Sequence, residues 1–175
     1  MIQVRDRYFI PFIAEKELQK RVAELGAEIS VDYRGKTPIL IGVMNGAFMF
    51  LADLSRHIDL PLEVSFIRIA SYDALASTGS IRELAGLEKD LAGRDVIIVE
   101  DIVDSGLSIS HVLDQIREKK PSSIEVCSLL LKPEALKMPV SAKYLGFEIP
   151  DKFVVGYGLD YDGEGRNLKE IYQLK

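Results

Sequence analysis

The sequence predicts an α/β protein with a mostly parallel sheet flanked by helices, because apolar runs of strand length alternate with segments of helical periodicity. One run, at residues 96–99, contains four aliphatic residues in succession, which is typical of a strand covered on both faces. Polar turns follow the ends of these runs, at the edge of a parallel sheet where ligands bind. The predicted strands span residues 39–44, 62–70, 96–99, 124–131 and 153–157.

The length and composition are those of one globular domain over residues 1–175. A net charge of −5 argues against a large basic face for nucleic acid and against binding to an anionic membrane. The single cysteine, Cys127, excludes an internal disulfide and fits a reducing compartment. The chain shows neither a signal-peptide pattern nor an apolar run of the roughly 18 residues that a membrane span needs. We therefore expect a cytoplasmic protein without a nucleic-acid or membrane partner.

Two helices are predicted in the first third of the chain. Residues 1–13 are expected to form an irregular arm or a short strand, and a helix is predicted from about 14 to 31. The apolar face of this helix consists of Leu18, Val22, Leu25 and Ile29. After the strand at 39–44, the turn Asn45-Gly46-Ala47 precedes a second helix from about 48 to 58. An Asn-Gly pair by itself indicates only a turn.

The most informative stretch runs from Val96 to Ser108. We expect the buried strand to stop at two carboxylates, Glu100 and Asp101, and a third, Asp104, follows three residues later. A loop of mostly small residues comes next, consisting of Ser105, Gly106, Leu107 and Ser108. A helix with an apolar stripe then continues to about residue 120. The order is therefore buried strand, acidic turn, small-residue loop and helix start.

This order suits a phosphorylated ribose. Gly106 lets the backbone turn tightly and approach a ligand closely. Amides of the loop and first helical turn, with the positive end of the helix dipole, favour a phosphate monoester. Three neighbouring carboxylates repel one another in a dry pocket unless hydroxyl donors and a divalent cation such as Mg²⁺ fill it. The alternative is that Asp104 and Ser108 cap the helix while Glu100 and Asp101 are solvated acids at a strand end.

The stretch resembles the phosphoribosyl pyrophosphate (PRPP) loop of type I phosphoribosyltransferases. Residues 151–161 (DKFVVGYGLDY) resemble the corresponding segment of the hypoxanthine-guanine phosphoribosyltransferase family, and the similarity extends from about Ile39 to Arg166. The resemblance implies the type I phosphoribosyltransferase fold in a single domain. Its core would span about 37–160, and a small hood would come from the chain ends, about 1–13 and 161–175.

The resemblance also assigns roles around PRPP. The residues implied to bind its ribose and 5′-phosphate are Glu100, Asp101, Asp104, Ser105, Gly106, Leu107 and Ser108. Glu100 and Asp101 would hold the ribose hydroxyls and a Mg²⁺ ion with its water shell, and Asp160 would bind a second Mg²⁺. Asp104 would accept the proton that leaves N7 of the purine.

The pyrophosphate end and its lid are implied in the same way. Asn45, Gly46 and Arg166 would bind pyrophosphate, with Gly46 acting through its backbone and the Met44–Asn45 peptide bond cis. Many relatives carry Lys at the position of Asn45, a charge that Asn does not supply. Ser71 and Tyr72, in the small polar segment 71–80, would belong to a lid that excludes water from the reacting ribose. Composition alone favours a surface loop there, returning through a strand at 81–84.

The purine would lie near the ends of the later strands. Lys132 would donate to O6, Phe153 would stack on the base, and the Val154 backbone and Asp160 would complete the base pocket. Without the resemblance to the family, the usual interpretation of a lone lysine just past a strand end is a solvated cap. The sequence offers no role for Arg68, inside the strand at 62–70.

The predicted activity is purine salvage: transfer of the 5-phosphoribosyl group from PRPP to N9 of hypoxanthine or guanine, with release of pyrophosphate. Mg²⁺ is the expected cofactor, and a homodimer or homotetramer is the expected assembly. The alternatives are a phosphoribosyltransferase for another base and a PRPP-sensing regulator on the same fold. A dehydrogenase is excluded by the absence of a G-x-G-x-x-G after the first strand. The preference among hypoxanthine, guanine and xanthine stays open.

Overall fold

A computed structural model describes residues 1–70, 82–85 and 89–175. The strands are β1 (Ile2–Val4), β2 (Arg7–Ile13), β3 (Ile39–Met44), β4 (Glu63–Ala70), β5 (Arg82–Ala85), β6 (Asp95–Val103), β7 (Ser123–Leu131), β8 (Tyr144–Glu148), β9 (Val154–Val155) and β10 (Ile171–Leu174). The helices are α1 (Glu15–Asp32), α2 (Phe48–Arg56) and α3 (Leu107–Glu118), and a 3₁₀ turn covers Pro133–Ala135.

The main sheet has six strands in the order β5-β4-β3-β6-β7-β8. The five strands from β4 to β8 in this order pair in parallel, and β5 pairs antiparallel with β4. Apolar residues of α1 and α2 pack on one face of the sheet, and those of α3 pack on the other. The predicted α/β class with a mostly parallel, helix-covered sheet is therefore confirmed.

A second sheet of four strands, in the order β1-β2-β10-β9, forms a small hood from the two chain ends. β10 pairs antiparallel with β2 on one side and with β9 on the other. Residues 1–13 thus form two strands rather than an irregular arm. The sheet encloses its own small core around Phe9 and Val155. The exact division at about residues 37–160 stays a prediction.

Two strand predictions were wrong. β6 does not stop at Glu100, because β7 continues to supply ladder partners as far as the Val103–Leu131 pair. The fifth parallel strand is β8, and the segment at 153–157 contributes β9 to the hood instead. The sequence did not predict β8 because the strand is short and contains Gly146. A Cβ at Gly146 would lie 2.3 Å from the Leu129 carbonyl oxygen of the neighbouring strand. Close backbone approach therefore explains a glycine that weakens the strand pattern.

Across residues 1–70, 82–85 and 89–175, no helix is long and apolar enough to cross a membrane. The return strand expected near 81–84 corresponds to β5, described over Arg82–Ala85.

Candidate active site

The candidate site lies at the carboxyl edge of the main sheet, where β3, β6 and β7 end. Each strand passes at this edge into a turn that carries predicted site residues: Asn45 and Gly46 after β3, Asp104 after β6, and Lys132 after β7. Parallel strands present their carboxyl ends on the same side, so the topology gathers groups that are far apart in sequence.

Glu100 and Asp101 point to opposite faces of β6, because consecutive strand residues alternate. Glu100 is buried, its Oε2 atom has no hydrogen-bond partner among residues 1–70, 82–85 and 89–175, and it lines a small cavity together with the loop before α3. Burial first, and then the neighbouring Asp101 charge, raise the pKa of the Glu100 carboxyl well above its ordinary value. A buried acceptor without a donor marks a place where a ligand's hydroxyl or a cation fits.

Asp101 faces the turn after β3. Burial raises the pKa of the Asp101 carboxyl from its ordinary 3.8 to about 6, although the Ile102 N–H, 3.0 Å from Oδ1, opposes the shift. A Cβ built on Gly46 would lie 1.6 Å from Asp101 Oδ2, so only glycine fits beside this carboxylate. The Met44–Asn45 peptide bond is cis, as the resemblance implied.

The loop from Ser105 to Ser108 leads directly into α3. Gly106 has a φ of 81°, and a Cβ there would lie 2.7 Å from the Met138 carbonyl oxygen, so the turn requires glycine. The Ser105 carbonyl accepts hydrogen bonds from the Lys137 and Met138 amides at 2.9 and 3.2 Å. The loop and the start of α3 border the cavity of about 80 Å³ that Glu100 also lines. The cavity therefore combines a helix N-terminus with a buried carboxylate.

Lys132 is buried although it carries a charge. Its Nζ donates to Asp104 Oδ2 at 2.8 Å and to Asp151 Oδ1 at 3.3 Å. Its backbone N–H donates to the Val103 carbonyl at 3.0 Å, which fixes the start of the side chain beside the end of β6. The structure thus brings Lys132 and Asp104 together, and the solvated-cap interpretation of Lys132 is wrong.

Asp160 and Arg166 form an ion pair of 2.6 Å between Oδ1 and Nη2. Arg166 also donates from Nη1 to the Gly158 carbonyl at 2.6 Å. A Cβ on Gly158 would lie 2.1 Å from the Gly46 carbonyl oxygen, so this segment lies directly against the turn after β3. The charges of Arg166 and Asp160 act in opposite directions on the pKa of the Asp101 carboxyl, which places all three groups in one electrostatic neighbourhood.

Phe153 immediately precedes β9, and Val154 is the first residue of that strand. The Phe153 ring is 46% exposed and meets Tyr161 edge-on with 5.8 Å between ring centroids. The Phe153 carbonyl accepts a hydrogen bond from the Leu174 amide at 2.8 Å, so the antiparallel alternation directs the N–H and C=O of the next residue, Val154, away from β10. β9 is an edge strand, and the backbone of Val154 is therefore turned outward.

Some predicted groups are not brought together. Ser71 and Tyr72 lie outside the described residues. Among residues 1–70, 82–85 and 89–175, no cluster of three or more His, Cys, Asp or Glu side chains is arranged to hold a metal ion. Glu100, Asp101 and Asp160 therefore do not form a preassembled cage.

Sequence reasoning missed Asp151 and Gly158 as parts of the site. Both belong to the segment that carried the resemblance, so the acid before Phe153 and the second glycine of Gly-Tyr-Gly were the available signals. The sequence analysis assigned no role to Arg68. In the structure Arg68 of β4 pairs in register with Met44, so it lies beside the cis Met44–Asn45 peptide bond.

Comparisons with known proteins agree with this geometry. Residues 13–162 match the family model of the phosphoribosyl transferase domain. The chain is 46% identical over 164 residues to a hypoxanthine-guanine phosphoribosyltransferase of Bacillus subtilis, covering 93% of this chain and 91% of that protein. It is 45% identical to the Mycobacterium avium protein of the same name, with 93% and 83% covered. A crystal structure of a hypoxanthine-guanine phosphoribosyltransferase from Bacillus anthracis superposes with a TM-score of 0.91 at 40% identity, covering 95% of this chain and 98% of that one.

Proposed function

We infer the roles of the individual residues from one premise: the chain belongs to the phosphoribosyl transferase domain family, among the hypoxanthine-guanine phosphoribosyltransferases. It is an enzyme of purine salvage that transfers the phosphoribosyl group of PRPP to N9 of hypoxanthine or guanine, giving the nucleoside 5′-monophosphate and pyrophosphate.

The observation that carries our assignment of the base site is the Lys132–Asp104 couple. A donor, Lys132 Nζ, and an acceptor, Asp104 Oδ2, stand side by side at 2.8 Å. A 6-oxopurine presents the complementary pair on one edge, with O6 as acceptor beside N7–H as donor. Adenine carries an amino donor at the same position as O6, which the lysine cannot satisfy. The couple therefore favours hypoxanthine and guanine over adenine.

The remaining base contacts follow from the hood. The exposed Phe153 ring offers an aromatic face for stacking on the purine. The outward N–H and C=O of Val154 supply hydrogen bonds for the edge of the base farther from N7. Asp160, at the end of the same segment, would close the pocket toward the pyrophosphate side, where it pairs with Arg166.

The ribose and 5′-phosphate would occupy the cavity before α3. Amides of residues 105–108 and the helix N-terminus would bind the phosphate, and the hydroxyl and amide hydrogens there act as donors. Glu100 would accept hydrogen bonds from the ribose hydroxyls, and these would supply the partners that its Oε2 atom lacks among the described residues. These hydroxyls also replace the water that the carboxylate loses on burial, and they favour its charged form.

The pyrophosphate would lie between the turn at Asn45–Gly46 and Arg166, with Gly46 contributing its backbone. Mg²⁺ fits this region, because the buried Glu100 and half-buried Asp101 carboxylates, both with raised pKa values, gain from a neighbouring cation. Asp160 would contact a second ion. Mg²⁺ binds through one or two carboxylates and substrate oxygens, so it does not need a three-residue cage. When bound, Mg²⁺ acts as a Lewis acid on the departing pyrophosphate.

The chain's own residues would then act in sequence. As the bond from C1′ to pyrophosphate loosens, positive charge develops on the ribose, and the negative charges of Glu100, Asp101 and Asp104 would stabilise it. N9 of the purine attacks C1′ while Lys132 holds O6. Asp104 accepts the proton from N7, which becomes acidic as N9 forms its new bond. Ser71 and Tyr72 would close over the reacting centre and exclude water.

We propose further that the enzyme works as a homodimer or homotetramer in the cytoplasm. Val64 and Phe66 are two residues apart in β4 and therefore point to the same face. They are 37% and 47% exposed, which supports an apolar contact between subunits. Size-exclusion chromatography with light scattering tests the assembly, and a monomer at assay concentrations would contradict it.

A steady-state assay with PRPP, Mg²⁺ and a panel of hypoxanthine, guanine, xanthine, adenine and uracil tests the assignment of the base site. We expect pyrophosphate release with hypoxanthine and guanine and at least about 10²-fold lower kcat/KM with adenine. Adenine or uracil as the preferred base would contradict the Lys132–Asp104 assignment. PRPP binding without turnover of any base would favour a regulator.

A further inference from the structure

A partly buried hydrogen-bond network joins α1, α2 and the segment that follows β9. The Tyr157 hydroxyl, on a side chain that is only 1% exposed, donates to Asp53 Oδ2 in α2 at 2.7 Å. Gln19 of α1 donates to the same oxygen at 2.9 Å and contacts the hydroxyl at 3.4 Å. Burial, followed by the hydrogen bond to Asp53, raises the pKa of Tyr157, so the hydroxyl remains a donor.

This network connects the two segments that form the pyrophosphate end. Asp53 belongs to α2, which begins immediately after the turn that contains Gly46. Tyr157 precedes Gly158, whose α-carbon faces the Gly46 carbonyl so closely that a Cβ would lie 2.1 Å from that oxygen. The side-chain hydrogen bond and the backbone contact therefore join the same two segments at two points.

The backbone at Tyr157 needs such support. Its φ is 50°, in the left-handed region that bulky residues rarely adopt, and Gly156 and Gly158 on either side have φ values of 103° and 105°. Three successive residues with positive φ form a sharp turn. The Tyr157 hydroxyl holds this turn to α2, and the Tyr157 amide holds it to the Leu168 carbonyl at 2.8 Å.

We propose that Tyr157 and Asp53 are positioning residues for the pyrophosphate end of PRPP, an inference that rests on the proposed location of pyrophosphate beside Gly46 and Arg166. Neither side chain touches the substrate. The Tyr157–Asp53 hydrogen bond holds the main chain of Gly158 against Gly46. Since the Gly158 carbonyl accepts a hydrogen bond from Arg166, the same bond sets where the guanidinium lies.

The effect should be confined to one end of the substrate. Lys132 and Asp104 are positioned by β6 and β7, Val154 is held by β10 through its pairing with Gln173, and none of these three shares a hydrogen bond with the network. Loss of the Tyr157–Asp53 bond should therefore weaken binding of PRPP and of pyrophosphate in the reverse reaction, while the base site keeps its affinity.

The chain contains a matched control. Tyr144 is 2% exposed and its hydroxyl donates to Asp32 Oδ2 at 2.7 Å, which reproduces the burial and hydrogen bond of Tyr157. Tyr144 is the first residue of β8, level with Cys127 in the middle of β7, and its hydroxyl bonds to the last residue of α1, so this pair does not involve the turn after β3 or Arg166. Tyr144→Phe removes the same atom and the same kind of bond without touching the pyrophosphate end.

The test compares Tyr157→Phe with Tyr144→Phe in the full chain, by thermal unfolding and by steady-state kinetics in both directions. We expect Tyr157→Phe to raise the KM for PRPP and for pyrophosphate by about tenfold, with the KM for hypoxanthine within about twofold of wild type. Tyr144→Phe should lower the unfolding temperature comparably and leave all three KM values unchanged. Unchanged PRPP and pyrophosphate KM values in folded Tyr157→Phe would overturn the inference, as would equal rises in both variants.

If Tyr157→Phe does not fold, a second pair of variants, at Asp53, tests the positioning role. Asp53→Asn keeps an oxygen that accepts from Tyr157 and should stay within about twofold of wild type, whereas Asp53→Leu should reproduce the rise in PRPP KM. Equal PRPP KM values for the two would overturn the inference. Wild-type protein is assayed first: absence of pyrophosphate release with hypoxanthine contradicts the proposed function itself, whereas an active wild type with unaffected variants contradicts only the positioning role.

Discussion

Lys132 and Asp104 form an ion pair of 2.8 Å in which only one partner is buried. The Lys132 side chain is 7% exposed and the Asp104 side chain is 52% exposed. Asp151 is the second acceptor, at 3.3 Å. The lysine therefore stays neutralised when Asp104 turns toward a substrate, because Asp151 remains beside it. This arrangement frees Asp104 to accept a proton and is the basis of the first two predictions.

Asp104→Asn should lower kcat by about 10²–10⁴-fold with a modest change in the KM for PRPP, because the amide cannot accept the N7 proton. Single-turnover kinetics with hypoxanthine measure the chemical step directly. Asp151→Asn is the control, since it removes a charge beside the same lysine without removing the proposed base. Near-normal turnover of a folded Asp104→Asn protein would remove Asp104 from this role.

Lys132→Ala should abolish selectivity for 6-oxopurines, because it removes the donor to O6. The ratio of kcat/KM for hypoxanthine to that for adenine should fall by about 10-fold or more. Lys152→Ala, an exposed lysine in the same region, should leave the ratio unchanged. An unaltered preference over adenine in the Lys132→Ala protein would argue against the O6 contact.

Gly46→Ala should raise the KM for PRPP by about tenfold or more and lower the free energy of unfolding by about 1–3 kcal/mol, as overpacking does. The three atoms nearest to the added Cβ all belong to Asp101, at 1.6, 2.4 and 2.9 Å. The clash should therefore vanish when Asp101 is shortened to Ala.

A double-mutant cycle with Asp101→Ala tests this prediction through the free energy of unfolding. Gly46→Ala should have little effect on stability in the Asp101→Ala background, giving a coupling of about 1–3 kcal/mol. Strictly additive costs would mean that the alanine at position 46 is accommodated by other groups.

Asp101→Asn should raise stability at pH 7 while it lowers activity. Burial raises the pKa of the folded Asp101 carboxyl to about 6 from its ordinary 3.8. Between these values the unfolded chain releases the proton and the folded chain retains it, so rising pH destabilises the wild type through this window. Above pH 6 the cost is constant, and its removal should stabilise the variant by on the order of 1–3 kcal/mol.

Urea unfolding in EDTA between pH 4 and pH 8 measures this effect. The advantage of Asp101→Asn should be largest above about pH 6 and shrink toward pH 4, which lies close to the ordinary pKa of 3.8, because the folded carboxyl is then protonated and the unfolded one is partly protonated. Asp114→Asn, which alters an exposed ion pair with Arg117, should change stability by less than about 0.5 kcal/mol. A difference that is flat across this pH range would contradict the raised pKa of Asp101.

Local pattern was sufficient for much of the architecture. The aliphatic run at 39–44 forms β3 with the predicted bounds, and the helical periodicity at 14–31 forms α1 within one residue at each end. Both elements bury a continuous apolar face, so hydrophobic periodicity alone identifies them. β8 and the extension of β6 to Val103 could not be predicted this way, because their strand conformation depends on ladder partners supplied by β7.

The sequence by itself determined the three helices, the aliphatic parts of β3, β4, β6 and β7, and the small-residue loop before α3. It did so because burial and turn conformation depend mainly on residues that are neighbours along the chain. Tertiary structure alone decided that Lys132 meets Asp104 and Asp151, that Gly46 lies against Asp101 and Gly158, and that Tyr157 reaches Asp53. These contacts join residues 19 to 112 positions apart, and only the packing of the sheet, the helices and the hood determines which of them come within reach.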